Sequence, residues 1–264
     1  MSHTPRRAIL VVSFGTSFEE TRKKNIDRIE QDIKHAYPSC PLYRAWISKW
    51  ILQKLRKRDQ IHIFTIQEAL EQMLSDGITE LAVQPTHVIN GLENEAMKAE
   101  ILSYAGRFDK ISFGNPLLTL ETDILETVRE LKAAWSSLPE NEALVFMGHG
   151  TSHYANTVYA ALDYACKDLG YPNLFVGTVE AYPSIDSLLR QVTAFRPAKV
   201  HLTPFMIVAG DHANHDMAGD DPSSWRCRFE AAGFPVECHL RGLGEYECIR
   251  RIFLRHVQEA LLAL

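Results

Sequence analysis

The chain writes one ten-residue pattern twice. AILVVSFGTS, residues 8–17, returns as ALVFMGHGTS, residues 143–152. In both copies an unbroken apolar run stops at a glycine-bearing polar turn. A run this short and continuously apolar suits a strand buried on both faces, as in a parallel sheet covered by helices. A second pair agrees: VQPTHVING (83–91) and LTPFMIVAG (202–210) each set proline and glycine six residues apart. Two like halves are therefore expected, one spanning residues 1–130 and the other 140–264, joined through the polar stretch SSLPENE.

The rest of the chain fits that frame. Apolar, β-branched runs predict strands at 8–14, 42–47, 80–84, 111–114, 143–148, 174–180, 199–208 and 235–240. Helical periodicity fills the intervals at 19–36, 48–58, 66–76, 93–105, 121–135, 154–169, 184–195, 222–232 and 245–263. The expected fold class is α/β, with two similar Rossmann-like halves. Each would be a four-stranded parallel sheet flanked by helices, with a cleft between the halves. Ligands of open α/β sheets bind beyond the carboxyl ends of the strands.

Composition narrows the function classes. Charged residues are 23% of the 264, and the formal net charge is −5. No basic stripe offers a nucleic-acid surface, and no apolar run is long enough to span a membrane. Arg6 and Arg7 precede an apolar run, but that run reads as a strand and no small-residue cleavage site follows, so a cytoplasmic location is expected. Cys40, Cys166, Cys227, Cys238 and Cys248 never form a CxxC pair, which argues for reduced thiols and against a thiolate metal site.

Three chemistry-bearing residues fall at strand ends in the second half. His149 follows the first strand, Glu180 comes 31 residues later, and His212 a further 32. That period matches one strand plus one crossover helix, so all three are expected at one edge of the sheet. Two imidazoles and a carboxylate suit a divalent transition metal and leave coordination positions open. Singly, each has a plainer explanation: a strand-end histidine that bonds locally, or a glutamate that caps a helix. The common edge, and the glycines Gly148 and Gly150 beside His149, favour the ligand reading. The GDHANHD segment is expected to be a loop, with His153 and His215 outside the ligand set. His3, His35, His62, His201, His239 and His256 show no constellation in the sequence and are expected to be structural.

Rival motifs are incomplete. A GxSxG elbow, a third dinucleotide-binding glycine and a P-loop lysine are all missing. The turn residues Phe14, Gly15, Thr16 and Ser17, and Gly150 in the second copy, are candidates to hold an anionic ligand through backbone N–H groups and hydroxyls. His87 ends the third strand of the first half and, if the two halves correspond, faces the cleft as a further substrate-binding candidate.

The blocks RAWISKWILQKLRKRD, AVQPTHVINGLENE, VFMGHGTSH, VGTVEAYPSID and PFMIVAGDHANHDMAGDDPSSW together resemble the anaerobic cobalt chelatases. These are sirohydrochlorin cobaltochelatases, related to the class II ferrochelatases. The resemblance spans essentially the whole chain. It implies two Rossmann-like halves around a tetrapyrrole cleft. It carries the family's metal ligands onto His149, Glu180 and His212, with His149 also the proton acceptor. It implies a lyase that puts Co2+ into sirohydrochlorin during anaerobic cobalamin synthesis. Co2+ would be a substrate ion, with no organic cofactor, no nucleic acid and no membrane partner. Fe2+ insertion toward sirohaem stays open as an alternative, as do a non-catalytic metal or tetrapyrrole carrier and a homo-oligomer. Some members are exported and bind haem; this N-terminus lacks a convincing export signal. Sirohydrochlorin's carboxylates call for cationic partners, and Arg44, Lys49, Arg56 and Lys57 stand in the matching block, though a solvated helix face is the favoured explanation for them. Phe14 stands where the second copy has His149, and is expected to pack on the macrocycle or the cleft wall.

Overall fold

In the computed structural model residues 5–264 are described, so His3 lies outside the described residues. The elements run β1 (Arg7–Ser13), α1 (Glu19–Lys24), α2 (Ile26–Ala36), β2 (Leu42–Trp46), α3 (Lys49–Asp59), α4 (Ile66–Ser75), β3 (Glu80–Pro85), α5 (Leu92–Leu102), β4 (Lys110–Phe113) and α6 (Glu121–Ala134). They continue with β5 (Ala143–Gly148), α7 (Thr157–Asp168), β6 (Leu174–Thr178), α8 (Ile185–Phe195), β7 (Val200–Phe205), α9 (Trp225–Ala231), β8 (Val236–Cys238) and α10 (Glu247–Leu262). The fold is α/β, with two four-stranded parallel sheets ordered β2-β1-β3-β4 and β6-β5-β7-β8. The repeat found in the sequence is thus a repeat of topology. The repeated strands β1 and β5 lie inside their sheets, buried from Ala8 to Val12 and from Ala143 to Met147. Residues hidden on both strand faces must be apolar at every position, which is why neither copy alternates.

The chain divides into two compact units. One unites the sequence up to Thr119 with Ile249–Leu264; the other is the continuous segment Leu120–Cys248. The boundaries therefore differ from 1–130 and 140–264. α6 belongs to the second unit, and nearly all of α10 belongs to the first. Its apolar stripe, Ile249, Ile252, Phe253 and Val257, is fully buried. Ser112 in β4 donates to the Ala260 carbonyl at 2.7 Å, Arg250 pairs with Asp32 at 2.6 Å, and the His256 Nδ1–H donates to the Asn115 carbonyl at 3.0 Å. Amphipathic periodicity announces a buried face but does not say which sheet covers it.

The first unit's core gathers Leu10, Val12, Leu70, Met73, Leu81 and Ile101 around its sheet; the second unit's gathers Val145, Met147, Leu188, Val192, Leu202 and Phe229. The single helix expected over 19–36 is two helices. Asn25, fully buried between them, leaves helical dihedrals (φ −118°, ψ −80°), and its Nδ2 donates to the Thr21 carbonyl at 2.8 Å. A side-chain amide that bonds the backbone competes with the helical ladder. None of the five cysteines is in a disulfide. Among the described residues no helix is long and apolar enough to cross a membrane.

Candidate metal centre

β5 is the middle of three adjacent strands, with β6 on one side and β7 on the other. The register aligns Gly148, the last residue of β5, with Thr178 and Phe205, the last residues of β6 and β7. Whatever follows those three ends starts from one level. His149 follows β5 directly. Glu180 stands two residues past β6, and its N–H donates to the His149 carbonyl at 3.0 Å, one step beyond the Val179–Gly148 bond of 3.0 Å. His212 arrives from the loop after β7.

The structure brings these three side chains together. One ligand atom from each of His149, Glu180 and His212 lies within 4.8 Å of the others. Nδ1 of His149 is 3.7 Å from Oε2 of Glu180. The two imidazoles meet edge to face, centroids 4.7 Å apart and planes at 90°. Side-chain exposures of 45% for His149 and 51% for Glu180 leave the cluster open to an incoming ion.

Hydrogen bonds set the tautomers. The Gly150 carbonyl is 2.8 Å from His149 Nδ1. A carbonyl only accepts, so Nδ1 carries the proton and Nε2 keeps its lone pair. Asp216 Oδ2 stands 2.7 Å from Nδ1 of His212 and has the same effect there. A carboxylate behind an imidazole fixes ring orientation and raises basicity at the far nitrogen. Asp216 gave no signal in the sequence, because GDHANHD was expected to be a loop. It is one turn of π-helix, Ala213–Met217, with His212 at its N-terminal flank. The Ala218 N–H reaches the Ala213 carbonyl at 3.2 Å, a five-residue step, while Asp216, four residues after His212, meets it across one turn.

Gly150 is required by the geometry. Its φ is +88°, and a Cβ would stand 2.9 Å from both the Ala181 nitrogen and the Thr178 Cβ. The other histidines of these loops are occupied nearby. His153 caps a short turn by accepting from the Ala155 N–H at 3.2 Å. His215 is exposed and pairs with Asp211 at 3.1 Å.

The first unit holds the remaining candidates. Phe14 follows β1 and is 50% exposed, unusual for a large aromatic. Gly15 has φ +100°, and a Cβ there would meet the Trp46 ring at 2.5 Å. Thr16 and Ser17 are buried, and the Thr16 hydroxyl accepts from the Phe18 N–H at 3.3 Å, so that side chain is turned inward. His87, past the end of β3, lies 3.3 Å by Nδ1 from Asn94 Oδ1, while its buried Nε2 has no partner. Burial holds its pKa below the usual histidine range, against the opposing hydrogen bond to Asn94. Arg44 is committed to Asp27 and Glu30.

Sequence reasoning also missed a second cluster. His201, Glu237 and His239, read as unconnected, bring ligand atoms within 4.8 Å of one another.

The cobalt chelatase (CbiK) family model matches residues 7–262. The chain is 42% identical over 256 residues to the sirohydrochlorin cobaltochelatase of Salmonella typhimurium, covering 97% of each. It is 31% identical to sirohydrochlorin cobaltochelatase CbiKC of Nitratidesulfovibrio vulgaris, over 99% of this chain and 94% of that one. Among solved structures, SirB from Bacillus subtilis with Fe3+ superimposes with a TM-score of 0.67 at 15% identity, covering 97% of this chain and 95% of that chain, a likeness of fold. By its matched length and its identity to these relatives, the chain belongs to the cobalt chelatase (CbiK) family.

Proposed function

We propose that this protein is a sirohydrochlorin cobaltochelatase, acting in the cytoplasm on the route to cobalamin. The observation that carries the reading is the convergence of His149, Glu180 and His212 at the carboxyl edge of β6-β5-β7, in a chain whose relatives bear that activity.

The substrate ion, Co2+, is held by the Nε2 lone pairs of His149 and His212 and by a Glu180 oxygen. Three protein ligands leave positions for the tetrapyrrole nitrogens. Imidazole and carboxylate bind cobalt firmly enough to collect it; a thiolate cage would hold on to it. Insertion breaks two pyrrole N–H bonds and joins the ion to the ring nitrogens, so two positive charges enter and two leave as protons. As the ion departs, His149 Nε2 becomes free to accept one proton. The second passes to water, which reaches the half-exposed cluster. The Gly150 turn beside the cluster supplies backbone N–H groups for the ring's carboxylates.

An anaerobic absorbance assay with purified protein, sirohydrochlorin and Co2+ tests this. A protein-dependent shift to the cobalt-ring spectrum is expected. No shift with any divalent ion would refute the chelatase reading, and faster turnover with Fe2+ than with Co2+ would move the function to sirohaem formation.

A further inference from the structure

The second unit brings two histidines and a glutamate together on the face of its β7–β8 pair. Strand period explains why. Glu237 lies in β8 and His239 one residue past its end, where the His239 N–H continues the pairing by donating to the Leu202 carbonyl at 2.8 Å; two residues apart, their side chains turn to one face, and the register sets His201 of β7 opposite Glu237. From His201 to Phe205 is four residues, about 13 Å at the usual ~3.3 Å per residue. The cluster is thus well separated from the centre at the strands' carboxyl ends.

Its geometry is closer drawn than that of the first cluster. His201 Nδ1 and His239 Nε2 face each other at 3.0 Å. Glu237 offers Oε2 at 3.9 Å from the former and Oε1 at 3.6 Å from the latter. Bonds of about 2.0–2.2 Å to a single ion place neighbouring donors about 3–3.5 Å apart, so small side-chain adjustments would let one ion reach all three. The tautomer is prepared as well. Glu142 Oε2 lies 2.5 Å from His201 Nε2 and accepts its proton, leaving Nδ1 with a lone pair directed at His239. Two facing ring nitrogens need a proton or a cation between them. His201 is nearly buried, at 10% side-chain exposure, while Glu237 is 47% exposed and keeps a route for the ion and for coordinating water.

We infer that His201, Glu237 and His239 form a second divalent-cation site, oriented by Glu142 and distinct from the centre at His149. Imidazole and carboxylate donors select first-row ions such as Co2+ or Zn2+ over Mg2+ and Ca2+, which prefer all-oxygen shells. The site ties the three-residue edge strand β8 to β7. Lys199 competes for it, because it already pairs with Glu237. Trp135 reports on it, with its ring 4.8 Å from that of His239.

Ion stoichiometry, measured by equilibrium dialysis against CoCl2 or ZnCl2, tests the inference in full-length protein. Wild type should bind two ions per chain and His149→Ala/His212→Ala one, with Trp135 emission quenched. Adding His239→Ala should abolish that remaining ion, and Lys199→Ala should tighten it several-fold, which a purely structural ion-pair network would not do. Should the double variant fail to fold, His239→Ala alone must lower wild type from two ions to one. A wild type that binds a single ion, or a second ion unaffected by His239→Ala, overturns the inference.

Discussion

Asp216 holds Nδ1 of His212 at 2.7 Å from four residues away, across a turn of π-helix. It touches neither ion nor ring in the proposed reaction and acts by holding an imidazole still. Asp216→Asn keeps an acceptor but removes the charge. The cobalt concentration for half-maximal rate should rise about 10–100-fold, the usual effect of losing a carboxylate behind a ligating histidine, while sirohydrochlorin affinity stays level. Initial rates against Co2+ measure this; an unchanged half-saturation point would detach Asp216 from the centre.

In the proposed reaction His149 serves as both ligand and proton acceptor, and His149→Ala removes both. Turnover should fall at least 10²-fold, the lower end for a positioned general base, in a protein whose circular dichroism and melting temperature match wild type. Near-normal turnover in the folded variant would eliminate His149 from the chemistry.

Glu180→Gln retains size and loses charge. With two neutral imidazoles, the carboxylate brings a bound M2+ to about +1, which helps to hold the ion away from bulk water. Cobalt dependence should weaken and sirohydrochlorin titration should not. A glutamate acting only as a local cap would instead lower melting temperature slightly and leave cobalt dependence alone.

The buried imidazole of His87 makes a pH prediction. Because burial holds its pKa down in the folded protein, the unfolded chain takes up a proton here first. The folded state suffers no penalty above about pH 6.5, the ordinary histidine value. It loses stability as pH falls below that point. Melting temperatures of wild type and His87→Gln, measured from pH 7.5 to 5, should converge toward the acid end. Parallel curves would show that His87 does not titrate during unfolding.

Much of this architecture was legible because it depends on local pattern. Continuous burial keeps β1 from Ala8 to Val12 and β5 from Ala143 to Met147 apolar at every position, and a period near 31 residues places His149, Glu180 and His212 on one edge. The unread parts depend on partners distant in sequence or on backbone detail. Asn25 divides a helix whose apolar spacing runs through the break. Asp216 reaches His212 across one helical turn, in a segment whose composition reads as a loop. His201 and His239 are 38 residues apart, joined by strand pairing that no local spacing reveals.

Residues 249–264 pack with the first unit, while 120–248 form the second without interruption. During synthesis this inverts the usual order in which amino-terminal domains mature first. The segment bearing His149, Glu180 and His212 is fully translated while its neighbour still lacks α10. That earlier unit must wait beside the ribosome with the apolar seat of Ile252, Phe253 and Val257 uncovered, a window in which a chaperone would find it and a nascent-chain protease could test it.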